Sequence, residues 1–215
     1  MSKNKIKLLT LSGLLGGLIM FIGDQLFYYY KVSGADYNTI PVMGEMPIDR
    51  LIAGGVLGPV AAIFYIIGAY YLYEVFKKTN RTVALVSFGL LAVFLLIAGA
   101  YHAVFATYGF AARVPSGLNA EHVEYVSRYL AALHSIDYVI GIGCTALFLY
   151  LVIFKKSSLP PWLAFFTPTL IILIQPFFKN YIPYPLGTII YGGWFNLSFA
   201  LFFLMSFFAV GKLKE

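Results

Sequence analysis

The stretch TVALVSFGLLAVFLLIAGAYHAVFATY, residues 82–108, decides the fold. It holds no Lys, Arg, Asp or Glu, and its one ionisable group apart from tyrosines is His102. About 20 apolar residues rising 1.5 Å each cross the hydrocarbon of a bilayer, so these residues predict a transmembrane helix. Working outward, five more apolar or weakly polar segments stand at 8–30, 51–76, 130–154, 160–178 and 188–210. The chain is 60% hydrophobic and 11% charged, against about 25% charged in soluble domains. The expectation is an all-α membrane protein, a six-transmembrane-helix bundle forming a single transmembrane domain over residues 1–215.

The formal net charge of +6 raises the question of a polyanionic partner, and the positions of the charges answer it. Lys3, Lys5, Lys7, Lys77, Lys78, Arg81, Lys155, Lys156, Lys212 and Lys214 fall at one end of the predicted helices. Lys31, Arg50, Arg113, Arg128 and Lys179 fall at the other, which accounts for all 15 basic residues. This two-to-one split is the bias of the positive-inside rule and puts both termini in the cytoplasm. The basic excess then matches anionic headgroups, so membrane lipids are the expected partners and nucleic acid is not. The first apolar segment has the basic start of a signal peptide. Its run is too long, however, and it ends in Phe27-Tyr28-Tyr29-Tyr30 without a small-residue cleavage site, so it is read as a retained helix. Cys144 is the single cysteine, which excludes an intramolecular disulfide and a cysteine metal cluster.

Short cytoplasmic loops and longer outer ones at 31–50 and 109–129 follow from this threading. Pro47 followed by Asp49 before an apolar run signals a helix start, the carboxylate facing the positive end of the helix dipole. Glu121, Glu124 and Arg128, spaced three and four apart, predict a short surface helix in the second long loop. Gly13, Gly17, Met20, Asp24 and Tyr28 share one face of the first helix. Gly54 and Gly58 repeat the small-residue spacing that lets membrane helices approach closely. Aromatic side chains gather near the expected interfaces, Tyr28 to Tyr30, Tyr108, Tyr181 and Tyr184 outside, Tyr70 to Tyr73 and Trp162 inside.

Helical rise places the polar residues. Asp24 lies about 25 Å beyond Lys7, His102 about 31 Å beyond Arg81, and His134 and Asp137 about 9 and 13 Å below Arg128. Asn196 and Gln175 fall at similar depth, so all six are expected in the outer half of the bilayer. Ionisable groups are costly in hydrocarbon and mark a bundle interior or a wet cavity. His134 and Asp137, three apart, form a candidate acid–base pair that His102 could join from the antiparallel neighbour. The other reading is that these groups satisfy one another and only hold the bundle together. Asp24 either pairs with Arg50, the favoured arrangement, or serves as a protonation or ligand site. The run Tyr191-Gly192-Gly193-Trp194-Phe195-Asn196 adds an indole and an amide beside glycines that permit close approach. His102, His134, Asp137 and Asp24 are ligand types that zinc takes, but no HExxH or HxxxH spacing accompanies them. Nothing supports a haem between the two histidines, and neither a metal nor a cofactor is assigned.

Ile22-Gly23-Asp24, Ala100-Tyr101-His102-Ala103 and the run from Ile182-Pro183-Tyr184-Pro185-Leu186-Gly187 through Tyr191-Gly192-Gly193-Trp194 carry a family likeness. They resemble an uncharacterised family of prokaryotic six-pass integral membrane proteins of unknown function. The resemblance covers most of the chain and implies one six-helix domain in the cell inner membrane, with no activity attached. A superficial similarity to membrane hydrolases that hold zinc with histidines and aspartates stops at their His-x-x-x-His pair, which this chain lacks.

The resulting expectation is an outward-facing pocket, polar at its floor and aromatic at its walls, that binds a small amphipathic or lipid-like molecule. Its candidate residues are Asp24, Arg50, His102, His134, Asp137, Trp194 and Asn196. Three other functions share these residues. They are an enzyme acting on a lipid-like substrate by His/Asp or metal chemistry, a proton-coupled transporter using Asp24 and Asp137, and a structural or partner-binding subunit. The inner half of each helix is apolar and aromatic, which counts against a through-channel.

Overall fold

Apolar segments in hydrocarbon must satisfy their backbone groups internally, and every regular element among the described residues is helical. The computed structural model describes residues 1–29, 39–114, 119–155, 157–178, 181–183 and 185–212. The chain runs through α1 (Lys3–Tyr28), α2 (Thr39–Glu45), α3 (Ile48–Phe76), α4 (Arg81–Phe105), α5 (Thr107–Ala111) and α6 (Asn119–Leu149), which continues into a π-helical turn at Tyr150–Phe154. A 3-10 helix at Pro161–Phe166 follows, then the short helices α7 (Pro168–Leu173), α8 (Gln175–Phe178) and α9 (Leu186–Gly192), and the long α10 (Trp194–Gly211).

Five stretches, Lys3–Phe27, Ile48–Phe76, Arg81–Ala111, Ala120–Phe154 and Trp194–Gly211, are long and apolar enough to cross a membrane. Their surfaces agree with that reading. Leu8, Leu11, Leu15, Leu18 and Ile22 form an exposed stripe at helical spacing along α1. A continuous apolar stripe without a protein partner is solvated by lipid far better than by water. The chain is all-helical among its described residues, with five helices of the length and composition that cross membranes.

The predicted segment at 160–178 takes a different form from the other five. It is divided among the 3-10 helix, α7 and α8, none of which spans a bilayer alone. Pro160, Pro161, Pro168 and Pro176 account for the division, because proline lacks the N–H of the helical ladder and disfavours helical backbone in the residue before it. Thr167, just before Pro168, is indeed extended, with ψ of 136°.

Other boundaries follow local rules. Pro47 caps α3 and Asp49 lies in its first turn. The Asn80 side chain accepts from the Val83 N–H at 3.0 Å and starts α4. The surface helix expected within 109–129 is the first part of α6 instead of a separate element. No Gly or Pro occurs from Asn119 to Ile140 to stop it, and Glu124 pairs with Arg128 at 2.7 Å along it. Of the long loop expected at 31–50, residues 30–38 lie outside the described residues, as do Lys156, Lys179, Tyr184 and Lys214.

The long helices form an arc in which α1 packs between α10 and α3, and α4 between α3 and α6. The 3-10 helix and α7 pack on α10, and α7 also touches α6, which closes the arc. Hydrophobicity does not drive helix association in lipid, so close fit must. Gly13 of α1 and Gly68 of α3 meet backbone to backbone, and a Cβ on Gly17 would lie 2.9 Å from Ala200 of α10. Around the α3–α4 turn the core is aromatic, with Tyr71, Phe76, Phe148, Phe202 and Phe203 buried together. There Lys77 donates to the buried Glu74 carboxylate at 2.6 Å, and this bond raises the ammonium pKa above its ordinary value. At the other end α2 and α5 pack together, over a second cluster of Phe27, Met43, Met46, Leu51 and Ala106.

Candidate functional site

Asp24 lies seven residues beyond Gly17, two helical turns along the α1 face that meets α10. Its neighbour Gly23 faces α4, where an added Cβ would lie 2.8 Å from His102 Cε1. On the other side of the imidazole, a Cβ on Gly58 would lie 2.7 Å from the Gly99 carbonyl and 3.2 Å from His102 Nδ1. The two glycines therefore leave a notch that seats His102 against Asp24.

Four buried side chains join across four helices at this point. His102 Nε2 of α4 lies 3.2 Å from Asp24 Oδ1, and Asn196 Nδ2 of α10 donates to Asp24 Oδ2 at 2.6 Å. The Tyr65 hydroxyl of α3 donates to Asn196 Oδ1 at 3.2 Å. Both carboxylate oxygens are thus matched. The network fixes the helices in rotation and depth. The Phe27 ring, 4.8 Å from the imidazole between centroids, stands between the network and the α2–α5 cluster.

The expected Asp24–Arg50 pair does not form. Arg50 Nη2 donates to the carbonyls of Gln25 and Tyr29 at 3.0 and 2.9 Å. The last carbonyls of a helix lack intrahelical partners and carry the negative end of its dipole. A guanidinium that caps them stays partly hydrated, whereas reaching Asp24 would require burying it beside a carboxylate already satisfied.

His134 and Asp137 also separate. Three residues turn a helix by about 300°, which leaves roughly 60° between the two side chains, and the border of the buried face of α6 falls within that angle. His134 is exposed, its ring near those of Tyr101 and Tyr138 at 6.1 and 6.3 Å. Asp137 is 8% exposed, and its Oδ1 has no hydrogen-bond partner among the described residues. Trp194 Nε1 donates to the Ile171 carbonyl at 2.9 Å and fastens α10 to α7. Of the seven candidates, Asp24, His102 and Asn196 come together. Asp137 is buried without a bond to them, and His134, Arg50 and Trp194 are used elsewhere.

A cleft of about 60 Å³ lies inside the arc, between α3, α4, α6, α7 and α10. Phe94, Phe148 and Phe202 wall it, and the hydroxyl-bearing Ser87, Thr145, Thr167 and Thr169 are polar contributions to its lining. It lies toward the α3–α4 turn, away from the end where the sequence places the pocket. Thr145 and Thr169 share a hydrogen bond of 2.6 Å that ties α6 to α7, while the buried Ser87 Oγ has no partner among the described residues. Among those residues no three His, Cys, Asp or Glu side chains gather where they could hold a metal ion.

The sequence reading missed Tyr65 and the cleft hydroxyls of Ser87, Thr145, Thr167 and Thr169. A tyrosine in the middle of the apolar run of α3, far from either interface, is a signal for Tyr65, because a buried phenol needs a partner. Ser87 gives no such signal, since single serines are common in membrane helices.

The chain belongs to a family of unknown function (DUF6796), whose family profile matches residues 1–212. No curated protein and no solved structure is significantly similar to it.

Proposed function

We propose that this protein takes a small amphipathic, lipid-like molecule from the bilayer into the cleft between α4, α6, α7 and α10. The bundle around it crosses the membrane six times, with both termini in the cytoplasm. The break in the fifth apolar segment carries the reading. Thr167 leaves the helical path where Thr167, Pro168 and Thr169 line the cleft. Non-helical backbone at membrane depth is tolerated where protein buries it or where it lines a cavity, and discontinuous helices often form binding sites in transporters. Phenylalanine walls with a few hydroxyls suit a mostly apolar guest.

The broken segment from the 3-10 helix to α8 rises roughly 30 Å at about 2.0 and 1.5 Å per residue, enough to cross. Six crossings bring both ends to the side with the basic excess. On that threading the cleft lies in the inner half, and Asp24, His102, Asn196, Arg50 and Trp194 support the bundle without touching the guest.

Mass spectrometry of the purified protein tests the cleft. Wild type is expected to carry a lipid-like molecule, and Thr145→Phe, which fills the cleft, to lose most of it. An empty wild type, or equal occupancy in a folded Thr145→Phe, overturns the reading. Reporter fusions test the threading. Those after Lys78, Lys156 and Lys212 should read cytoplasmic and one near Asn119 external, whereas an external signal at Lys212 would mean five crossings. A second reading, a subunit whose polar residues only specify packing, is favoured by the matched oxygens of Asp24. It expects no bound molecule in the cleft.

A further inference from the structure

Asp137 stands one turn before Gly141 on the same side of α6, and Gly141, Cys144, Thr145 and Phe148 all line the cleft. Asp137 is more than nine-tenths buried, and its Oδ1 has no hydrogen-bond partner among the described residues. Ser87, across the cleft on α4, is buried to the same degree, and its hydroxyl also has no partner. Ser87 lines the apolar space, Asp137 stands one helical turn from its Gly141 edge, and the residues lining that space include no Lys, Arg or His.

From this placement we infer that the cleft takes an amphipathic monocation, with an alkylammonium headgroup on Asp137 and its apolar body between Phe94, Phe148 and Phe202. The inference rests on the cleft reading and names its ligand class. A carboxylate in low dielectric is poorly solvated without a counter-charge, and an ammonium supplies both the charge and N–H donors. The Ser87 hydroxyl can accept a second N–H or donate to a headgroup oxygen. The space suits a small guest or one alkyl chain, since about 60 Å³ is roughly four times what a single water needs on the same measure. A carboxylate-headed guest would meet Asp137 with like charge and is excluded.

The experiment compares octylammonium, octanol and octanoate as probes on the full-length protein in phosphatidylcholine nanodiscs, reading melting temperature against concentration. Wild type should show a saturable rise with octylammonium at about tenfold lower concentration than with octanol, and none with octanoate. In Asp137→Asn the octylammonium advantage should vanish while the octanol response stays, and Asp137→Glu should restore part of the advantage. Persistence of the full advantage in Asp137→Asn, or a response to octanoate equal to that to octylammonium, overturns the Asp137 assignment and leaves the cleft standing. Thr145→Phe and, should it fail to fold, Ser87→Leu test the cleft itself. Either variant should lose the responses to octylammonium and octanol together. Unchanged responses in a folded cleft-filling variant, or no saturable response to any probe in wild type, overturn the cleft reading and the inference with it.

Discussion

The two buried aspartates of this bundle are built on opposite terms. Asp24 has a partner on each oxygen, supplied by helices far apart in sequence, and glycines are cut away to admit them. Asp137 lies on the buried side of α6, one turn from the apolar cleft, with an oxygen that meets no donor among the described residues. In hydrocarbon an unsatisfied polar group costs several kcal/mol, so the partners of Asp24 read as architecture, and Asp137 is where the proposed headgroup would sit. Both residues are aspartates in apolar surroundings, with Asp24 the more deeply enclosed. What differs is whether neighbouring side chains bond the carboxylate itself, since His102 Nδ1 within the Asp24 network also has no partner among the described residues.

The comparison breaks first, and hardest, at Asp24. Replacing it by Leu strands the His102 imidazole and the Asn196 amide among apolar groups and should cost about 3 kcal/mol or more. Unfolding by denaturing detergent in mixed micelles measures this directly. A variant as stable as wild type would mean that the network does not hold the helices.

The notch around the imidazole gives the next effect. Gly58→Ala forces a methyl against the Gly99 carbonyl and His102, and overpacking of this kind costs about 1–3 kcal/mol. Gly89 is the control, since an added Cβ there meets nothing within 4 Å. Gly89→Ala should be neutral or gain up to about 1 kcal/mol from helix propensity. Equal losses at both positions would show that the close fit around His102 is not what matters.

These contrasts also mark what could be read from the sequence. The helical membrane class was legible because hydrocarbon imposes its requirements one segment at a time, and 82–108 meets them alone. Asp24, His102 and Asn196 were legible as candidates because polar residues are conspicuous in such segments. Their partnership was only half legible. Depth follows from counting residues, but which way a side chain points depends on the rotation of each helix. About 60° on α6 decides between His134, outside, and Asp137, inside. Arg50 was misassigned for a related reason, since charge alone cannot say that backbone carbonyls will compete with a carboxylate for it. The break at Thr167–Pro168 was written in the prolines, but not its place beside a cleft, because a cleft is what several helices leave unfilled.

Within the network itself a smaller effect separates its members. Tyr65→Phe removes one neutral hydrogen bond to Asn196 Oδ1 and should cost about 1 kcal/mol. Membrane hydrogen bonds average about 0.6 kcal/mol in double-mutant cycles, so the loss should stay well below that of Asp24→Leu. A cycle of Tyr65→Phe with Asn196→Ala should yield a coupling of about that size, and zero coupling would mean that the phenol and amide are not partners in the folded protein.

The smallest expected change is the most informative, because it is the one that sets the two aspartates apart. Asp137→Asn keeps the volume, removes the charge, and breaks no hydrogen bond to Oδ1 among the described residues. If the carboxylate is there for a guest, stability without that guest should stay within about 0.5 kcal/mol of wild type, the range of substitutions that disturb no structural partner, or rise slightly as a desolvated acid is replaced by a neutral amide. Asp24→Asn, measured beside it, should lose about 1–3 kcal/mol, because the amide presents N–H groups to donors that need an acceptor. Both proteins would be stripped of copurified molecules by extensive detergent exchange before unfolding is measured. A fall at Asp137 as large as that at Asp24 would mean that Asp137 also holds the bundle, and the distinction between the two carboxylates would no longer stand.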